Sequence, residues 1–215
     1  RAGMSPGLEA LRAEYGSDRV IPMACDITSQ EQCKQMAAKI KADLGGQKID
    51  MLLNVAGVLH EQGTSGLMPE RSLSSIDADA MQRVITTNAI GPVLVTQALA
   101  PQFAKKARIG NVSARVGSIS DNRLGGWWSY RMSKAALNMA TVNMALELKR
   151  KEVIAVALHP GTTDTGLSEP FQKNVKPEKL FTTEYSASSM LDVLLGLELE
   201  DSGKFFAYDG SRIEY

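Results

Sequence analysis

Tyr130-Arg131-Met132-Ser133-Lys134 decides the reading of this chain, and it lies at the start of a helical pattern running from Ser129 to Lys149. A tyrosine and a lysine four residues apart share one helix face, so a phenol is set beside an ammonium. The positive charge favours the phenolate, which predicts a tyrosine able to give and take a proton near neutral pH. Tyr-x-x-x-Lys alone is a frequent accident of composition. Its weight comes from the order of what surrounds it: Asn54-Val55-Ala56-Gly57 and Asn88 before it, Pro160-Gly161 after it.

Outward from that helix, whose apolar positions are Leu137, Ala140, Met144 and Leu148, strands and helices alternate. Arg19 to Cys25 reads as a short strand and Ser29 to Asp43 as a helix with Ser29 as N-cap. Ile49 to Asn54 is a buried strand. Ile76 to Phe103 is a long helical stretch broken near Gly91-Pro92. Arg108 to Ser113, Val153 to Leu158 and Lys204 to Tyr208 are strands, and Thr182 to Leu197 is a helix. Alternation with apolar strands predicts an α/β fold, a doubly wound parallel sheet with helices on both faces. The expectation is one domain over residues 1–215. Two loops are long, His60 to Ser75 and Gly161 to Leu180, and the second is a natural lid.

Composition narrows the function classes. Lys+Arg and Asp+Glu each number 24 in 215 residues, which gives no electrostatic case for nucleic acid or an anionic membrane. No apolar run approaches the roughly 20 residues a spanning helix needs. Cys25 and Cys33 form no C-x-x-C and have no histidine cluster nearby, so neither a metal site nor a disulfide framework is expected. Packed thiols suit a reducing compartment, by default the cytoplasm. His60 and His159 lack the partners of a triad or metal site and read as non-catalytic. A hydrolase is excluded by the want of a nucleophile elbow.

The four elements together resemble the short-chain dehydrogenase/reductase family, from about Asp26 to the C-terminus. Asp121-Asn122-Arg123-Leu124-Gly125-Gly126-Trp127, the Ser-Lys-Ala-Ala-Leu-Asn run from Ser133, and Lys204 to Gly210 resemble its C-factor-like and sniffer-like carbonyl reductases. The resemblance implies a Rossmann-type fold and hydride transfer between a nicotinamide cofactor and a carbonyl or alcohol. That family opens with a strand, a G-x-x-x-G-x-G turn and a helix that receive the pyrophosphate. Gly3-Met4-Ser5-Pro6-Gly7 lacks the third glycine and reads instead as the turn into a short helix at Leu8 to Tyr15. The chain is therefore expected to lack the first β-α-β portion.

By the same resemblance Tyr130 is the acid/base, Lys134 lowers its pKa and binds the nicotinamide ribose, and Asn88 holds a water in the proton relay. Asp26 is either the adenine-contacting carboxylate or a capping acid ahead of Ser29. Asn54, Ala56 and Gly57 bring backbone close to the cofactor, with Val55 departing from the family's second asparagine. Pro160, Gly161, Thr162 and Thr163 would face its carboxamide and phosphates. The family's usual serine, three residues before the glycine at Gly117, is here Ala114. Ser113 and Ser118 flank it; strand alternation turns Ser113 away from the Ala114 side, which leaves Ser118 to polarise the substrate carbonyl. Trp127 and Trp128 are candidates for the substrate wall. NADP(H) is expected over NAD(H), from the subgroup's habit and from Arg1, placed where a basic side chain can meet a 2′-phosphate. Small-molecule carbonyls or alcohols are the expected partners, with a homodimer through the helices of Asn88 and Tyr130. The alternative is a pseudoenzyme or signalling scaffold of the same fold, which Ala114 supports.

Overall fold

A buried apolar run must pair its backbone N–H and C=O groups, and the strands of this chain do so side by side. The computed structural model describes residues 5–61 and 67–215. Helices α1 (Pro6–Tyr15) and α2 (Gln30–Asp43) precede β1 (Ile49–Asn54). Helix α3 (Ala78–Ile85), a π-helical turn Thr86–Ile90 and α4 (Gly91–Leu99) lead to β2 (Phe103–Val112). Then come α5 (Trp128–Leu148), β3 (Ile154–His159), β4 (Thr162–Thr163), β5 (Leu180–Phe181), α6 (Thr183–Gly196), β6 (Phe205–Ala207) and β7 (Arg212–Ile213). The main sheet has the order β1-β2-β3-β6-β7. Its first four strands run parallel and β7 is antiparallel. Strands β4 and β5 form a separate pair over the Gly161 to Leu180 segment.

Alternation along β3 divides the core. Ile154, Val156 and Leu158 face α6, packing with Leu194 and Leu197. Ala155 faces the other way, with Ile109, Val95, Leu99 and Met144 beneath α4 and α5. Each large apolar side chain buried here contributes roughly 1.5–3 kcal/mol. A Cβ at Gly110 would lie 2.8 Å from Leu53 and 3.1 Å from Leu194, so the close seat of α6 on β2 requires glycine there. Helices on both faces of a parallel sheet are what the alternation predicts.

Ser29 caps α2 as expected, its Oγ accepting from Gln32 N at 3.3 Å. Arg19 to Cys25 forms no strand. Pro22 has no N–H to give, and among the described residues no strand lies beyond β1 to pair with it. Gly3, Met4 and Arg1 lie outside the described residues.

The break in the long helix falls upstream of Gly91-Pro92. Gly91 N–H bonds to Thr86 O across the π-helical turn, because Pro92 has no N–H for residue 88 and the widened turn takes up the missing bond. The continuous stretch Ala78–Gln102 is 25 residues long with a mean hydropathy of 1.2 in its most apolar window. By length and composition alone that is enough to cross a membrane, though Asp79, Arg83 and Asn88 keep the stretch from being an unbroken apolar run. In the fold Val84, Ala89, Val95 and Leu99 of this stretch are buried core positions.

Candidate active site

The inward face of α5 is polar. Tyr130, Ser133, Lys134, Asn138 and Thr141 are all buried there. Lys134 Nζ lies 5.7 Å from the centre of the Tyr130 ring and donates to the carbonyl of Val112, at the end of β2, at 2.8 Å. Burial pushes the Lys134 ammonium down to about 8 and the Tyr130 phenol up to about 12. The expected depression of the tyrosine is therefore corrected. The ammonium sits by the ring and points its hydrogen bond at Val112, so loss of water around the phenol outweighs the charge. At neutral pH Tyr130 holds its proton, as a proton donor must.

Asn88, fully buried in the π-helical turn, clamps three segments. Its Oδ1 accepts from Val58 N at 2.7 Å and its Nδ2 donates to Val58 O at 2.8 Å. The same Nδ2 reaches Ser133 Oγ at 3.0 Å, and that hydroxyl donates to Tyr130 O at 2.8 Å. A Cβ at Gly57 would stand 3.2 Å from Asn88 Oδ1 and 3.6 Å from Lys134 Nζ. Glycine thus keeps the floor beside the ammonium clear. Asn54 Nδ2 donates to Asn111 Oδ1 at 2.8 Å and Asn111 Nδ2 to Thr141 Oγ1 at 2.9 Å, a polar ladder from β1 through β2 to α5.

The other expected contacts divide. Val55 is 62% exposed at the carboxyl end of β1, and Ala56 beside it is exposed. Asp26 is exposed; its Oδ1 accepts from Thr28 N and Thr28 Oγ1 at 2.9 and 2.7 Å, which holds the carboxyl below its usual range. Ser29, not Asp26, is the cap of α2. Gly161, at φ +75°, packs against Phe181, 2.6 Å from where its Cβ would stand. Thr162 lies in β4, half-buried. Thr163 Oγ1 donates to Ser186 Oγ at 2.9 Å, and Ser186 Oγ to Pro160 O at 2.9 Å. The Thr163 hydroxyl therefore ties the Pro160 turn to α6.

Ser118 is corrected as well. The short 3₁₀ turn Arg115–Gly117 carries it under the C-terminal tail, where its Oγ donates to the carbonyl of Glu214. Ser113 Oγ donates to Asn138 Oδ1 at 2.7 Å. Each serine hydrogen is engaged within the protein, and Ala114 has none to offer.

Aromatic rings border the tyrosine. Trp127 lies 6.2 Å from Tyr130 and 4.8 Å from Phe171 of the lid segment, ring centre to ring centre. His60 meets Phe171 edge-on at 5.8 Å, and its Nε2 lies 2.9 Å from the carbonyl of Gly166. His60 thus joins the chain after β1 to the lid. Trp128 faces the opposite way, into a groove with Met132 and Ala135. Of the two tryptophans, Trp127 alone walls the site.

A buried Tyr–Lys pair at the carboxyl ends of β1 and β2, beneath an aromatic lid, agrees with what comparison with known proteins finds. The short chain dehydrogenase profile matches residues 3–176. The chain belongs to the short-chain dehydrogenase family. A Rhodococcus sp. (strain AD45) relative, 1-hydroxy-2-glutathionyl-2-methyl-3-butene dehydrogenase, is 34% identical over 88% of this chain and 78% of its own. C-signal of Myxococcus xanthus is 39% identical over 50% of this chain and 61% of its own. Among solved structures, NADPH-bound carbonyl reductase from chicken fatty liver is similar with a TM-score of 0.84 and 29% identity, over 97% of this chain and 82% of that one. Carbonyl reductase Sniffer of D. melanogaster shares the fold at a TM-score of 0.84 and 23% identity, over 97% of this chain and 83% of that one.

In this short-chain dehydrogenase three further residues shape the site that the sequence pattern did not mark. Ser133, inside the Tyr130–Lys134 motif, is the link between Asn88 and α5. Arg131 holds the loop before α5, its Nε reaching Gly126 O at 3.0 Å. Glu70, in the loop before α3, accepts from Ser129 N at 3.1 Å. Only Ser133 and Arg131 had a sequence signal, their position between the tyrosine and the lysine.

Proposed function

We propose that this oxidoreductase reduces apolar, aromatic carbonyl compounds with NADPH, Tyr130 giving its proton to the carbonyl oxygen. The observation that carries the reading is the buried Tyr130–Lys134 pair, with the lysine nitrogen 5.7 Å from the centre of the tyrosine ring.

The residues fit the cofactor. Lys134 spends one of its three ammonium donors on Val112, and the others suit ribose hydroxyls. Gly57 leaves the space beside it open, the exposed Val55 and Ala56 would underlie the cofactor, Asp26 would meet its adenine, and Gly161 and Thr162 its nicotinamide. NADP(H), when bound, supplies the hydride; the protein holds the carbonyl against Tyr130 and excludes water with the lid. The preference over NAD(H) is supported by the chicken liver reductase, solved with NADPH, and by a Burkholderia multivorans short-chain dehydrogenase/reductase solved with NADP, both 29% identical. Trp127, Phe171 and His60 support a flat, apolar substrate. The Rhodococcus relative is named for a hydroxyl-bearing glutathionyl butene, and such an alcohol belongs in the same screen.

NADPH fluorescence titration, followed by turnover on aromatic ketones and diketones, tests this. Saturable binding that weakens in Lys134→Ala, with turnover lost in Tyr130→Phe, is the expected result; binding indifferent to Lys134 overturns it. The two free cysteines are consistent with a reducing, cytoplasmic setting. A homodimer would pair the outward faces of α4 and α5, where Val93, Met139 and Leu146 stand exposed.

One observation favours the second reading, a catalytically weak scaffold: Ala114 is flanked by two serines whose hydroxyls are already engaged. Ala114→Ser separates the readings. Turnover in the wild type supports the enzyme, and NADPH binding without turnover, restored by the serine, supports the scaffold.

A further inference from the structure

Gly125, Gly126 and Trp127 are three successive left-handed residues, at φ +64°, +65° and +51°. Glycine takes that region freely, whereas a tryptophan there is strained by about 1–2 kcal/mol. The strained residue is the one that walls the site against Tyr130 and Phe171. Two groups hold it in place. Arg131 Nε donates to the carbonyls of Gly125 and Gly126 at 3.2 and 3.0 Å, and its Nη1 to Val116 O at 3.1 Å. Glu70 does more, from a segment 59 residues away in sequence. Its backbone carbonyl accepts from Trp127 N. Its carboxylate, in a residue only 6% exposed, accepts from Ser129 N at 3.1 Å and from Ser129 Oγ.

Helix α5 has no cap of its own, since Trp127 at the N-cap offers no side-chain oxygen. The free N–H groups of its first turn and the positive end of its dipole call for an acceptor, preferably an anion. Glu70 supplies it from outside. Tyr130 is the third residue of that turn. Gly126 lies flat on the same segment, 3.6 Å from Glu70 O to where its Cβ would be.

We propose that Glu70 is a positioning residue for the reaction: it holds Trp127 in the left-handed turn and the first turn of α5 in register, so that the Tyr130 hydroxyl and the aromatic wall keep one geometry. This rests on the reading of Tyr130 as proton donor. The effect falls on the chemical step, because a displacement on the order of 1 Å of a donor costs about 10²-fold in rate. Glutamine keeps the shape and one acceptor, and glycine at 127 takes the turn unaided.

The test compares Glu70→Ala, Glu70→Gln, Trp127→Gly and the double variant Glu70→Ala/Trp127→Gly, with Tyr130→Phe as reference. NADPH-dependent reduction of an aromatic diketone gives kcat and KM, and near-UV circular dichroism reads ring packing whether or not turnover is seen. Glu70→Ala is expected to lower kcat about 30-fold or more with KM changed less than about 3-fold, and to weaken the near-UV band. Glu70→Gln should recover most of both. In the Trp127→Gly background the loss from Glu70→Ala should shrink to a few-fold, since the strain it opposes is gone. If Tyr130→Phe keeps full turnover, the reading of Tyr130 fails, and the near-UV band still judges Glu70. If Tyr130→Phe is inactive while Glu70→Ala keeps wild-type kcat, or loses the same factor in both backgrounds, the Glu70 proposal is overturned. Should Glu70→Ala not fold, Glu70→Asp, one methylene too short to reach Ser129 as glutamate does, takes its place in both backgrounds, and its kcat loss must likewise shrink beside Trp127→Gly.

Discussion

The inward face of α5 carries Tyr130, Ser133, Lys134, Asn138 and Thr141, all buried, while its outward face carries Trp128, Met132, Met139 and Leu146, exposed by 36%, 45%, 62% and 68%. Leu137, Met144 and Ala145 are buried beside the polar five, so the inward face is mixed where that of a surface helix is usually apolar. Polar groups can be buried only when hydrogen-bonded, and four of these five side chains are: Ser133 to Asn88 and Tyr130, Lys134 to Val112, Asn138 to Ser113, Thr141 to Asn111 and Leu137. The outward residues have no such obligation and nothing over them. The inward face is thus held by partners drawn from β2, the residue after it and the π-helical turn, at a cost in stability; the outward face would gain stability from any cover.

The sharpest way to break this contrast is at the inward pair. Tyr130→Phe removes only a hydroxyl and should cut reductase kcat about 10³-fold, the scale of lost acid catalysis, with little change in NADPH affinity. Lys134→Met should abolish turnover as severely yet raise stability at pH 7. The sign follows from the ionisation. Lys134 titrates at about 8 when folded, against 10.5 as its ordinary value, so between those values the unfolded chain binds more protons and stability rises with pH. Below pH 8 the full cost of burying the charge is present, on the order of 3 kcal/mol. Chemical denaturation from pH 7 to 10 should show wild-type stability climbing above pH 8 and a flat profile for Lys134→Met. A wild-type curve that falls over that window would show the ammonium to be stabilised in place. The rate of reduction should decline above about pH 8 as Lys134 loses its charge.

Asn88→Ala sharpens the comparison at the next level. It strips both bonds from Val58 and one from Ser133, leaving buried backbone groups without partners, and should cost about 2–4 kcal/mol in urea melts. Asn88→Asp keeps the acceptor for Val58 N but loses the donor, and should fall between. An Asn88→Ala variant as stable as the wild type would mean that the inward network is dispensable.

How much of this was legible in the sequence depends on how far apart the interacting groups lie. Strand β1 ends where its apolar run ends, Ser29 caps α2 as its position announces, and the α5 helix follows its periodicity. Each of these is decided within a few residues. Ser118 is decided by Glu214, 96 residues away, and Ser129 by Glu70, 59 residues away; no local pattern carries either. The spacing of Tyr130 and Lys134 gives proximity but not burial, and burial sets the direction of both pKa shifts. Pro92 announces a break, but where the helix yields, at Thr86–Ile90, is settled by the bond of Gly91 to Thr86 and the clamp of Asn88 on Val58. The strand expected at Arg19 to Cys25 has the right composition, but a strand exists only with a neighbour.

The smallest effect on chemistry is expected on the outward face. Met139→Glu and Leu146→Glu change side chains that are 62% and 68% exposed, so the stability of an isolated chain should move by no more than about 0.5 kcal/mol and kcat per site should hold. Their effect should appear in mass instead. Two copies of α4 and α5 meeting face to face would place Met139, Leu146 and Val93 at a shared centre, and a carboxylate buried there without a partner costs several kcal/mol. Sedimentation velocity should then show the wild type at twice the mass of the double variant at micromolar concentration. A wild type that sediments at the single-chain mass would leave the outward stripe uncovered in solution, and the pattern of α5 would then be explained by its inward face alone.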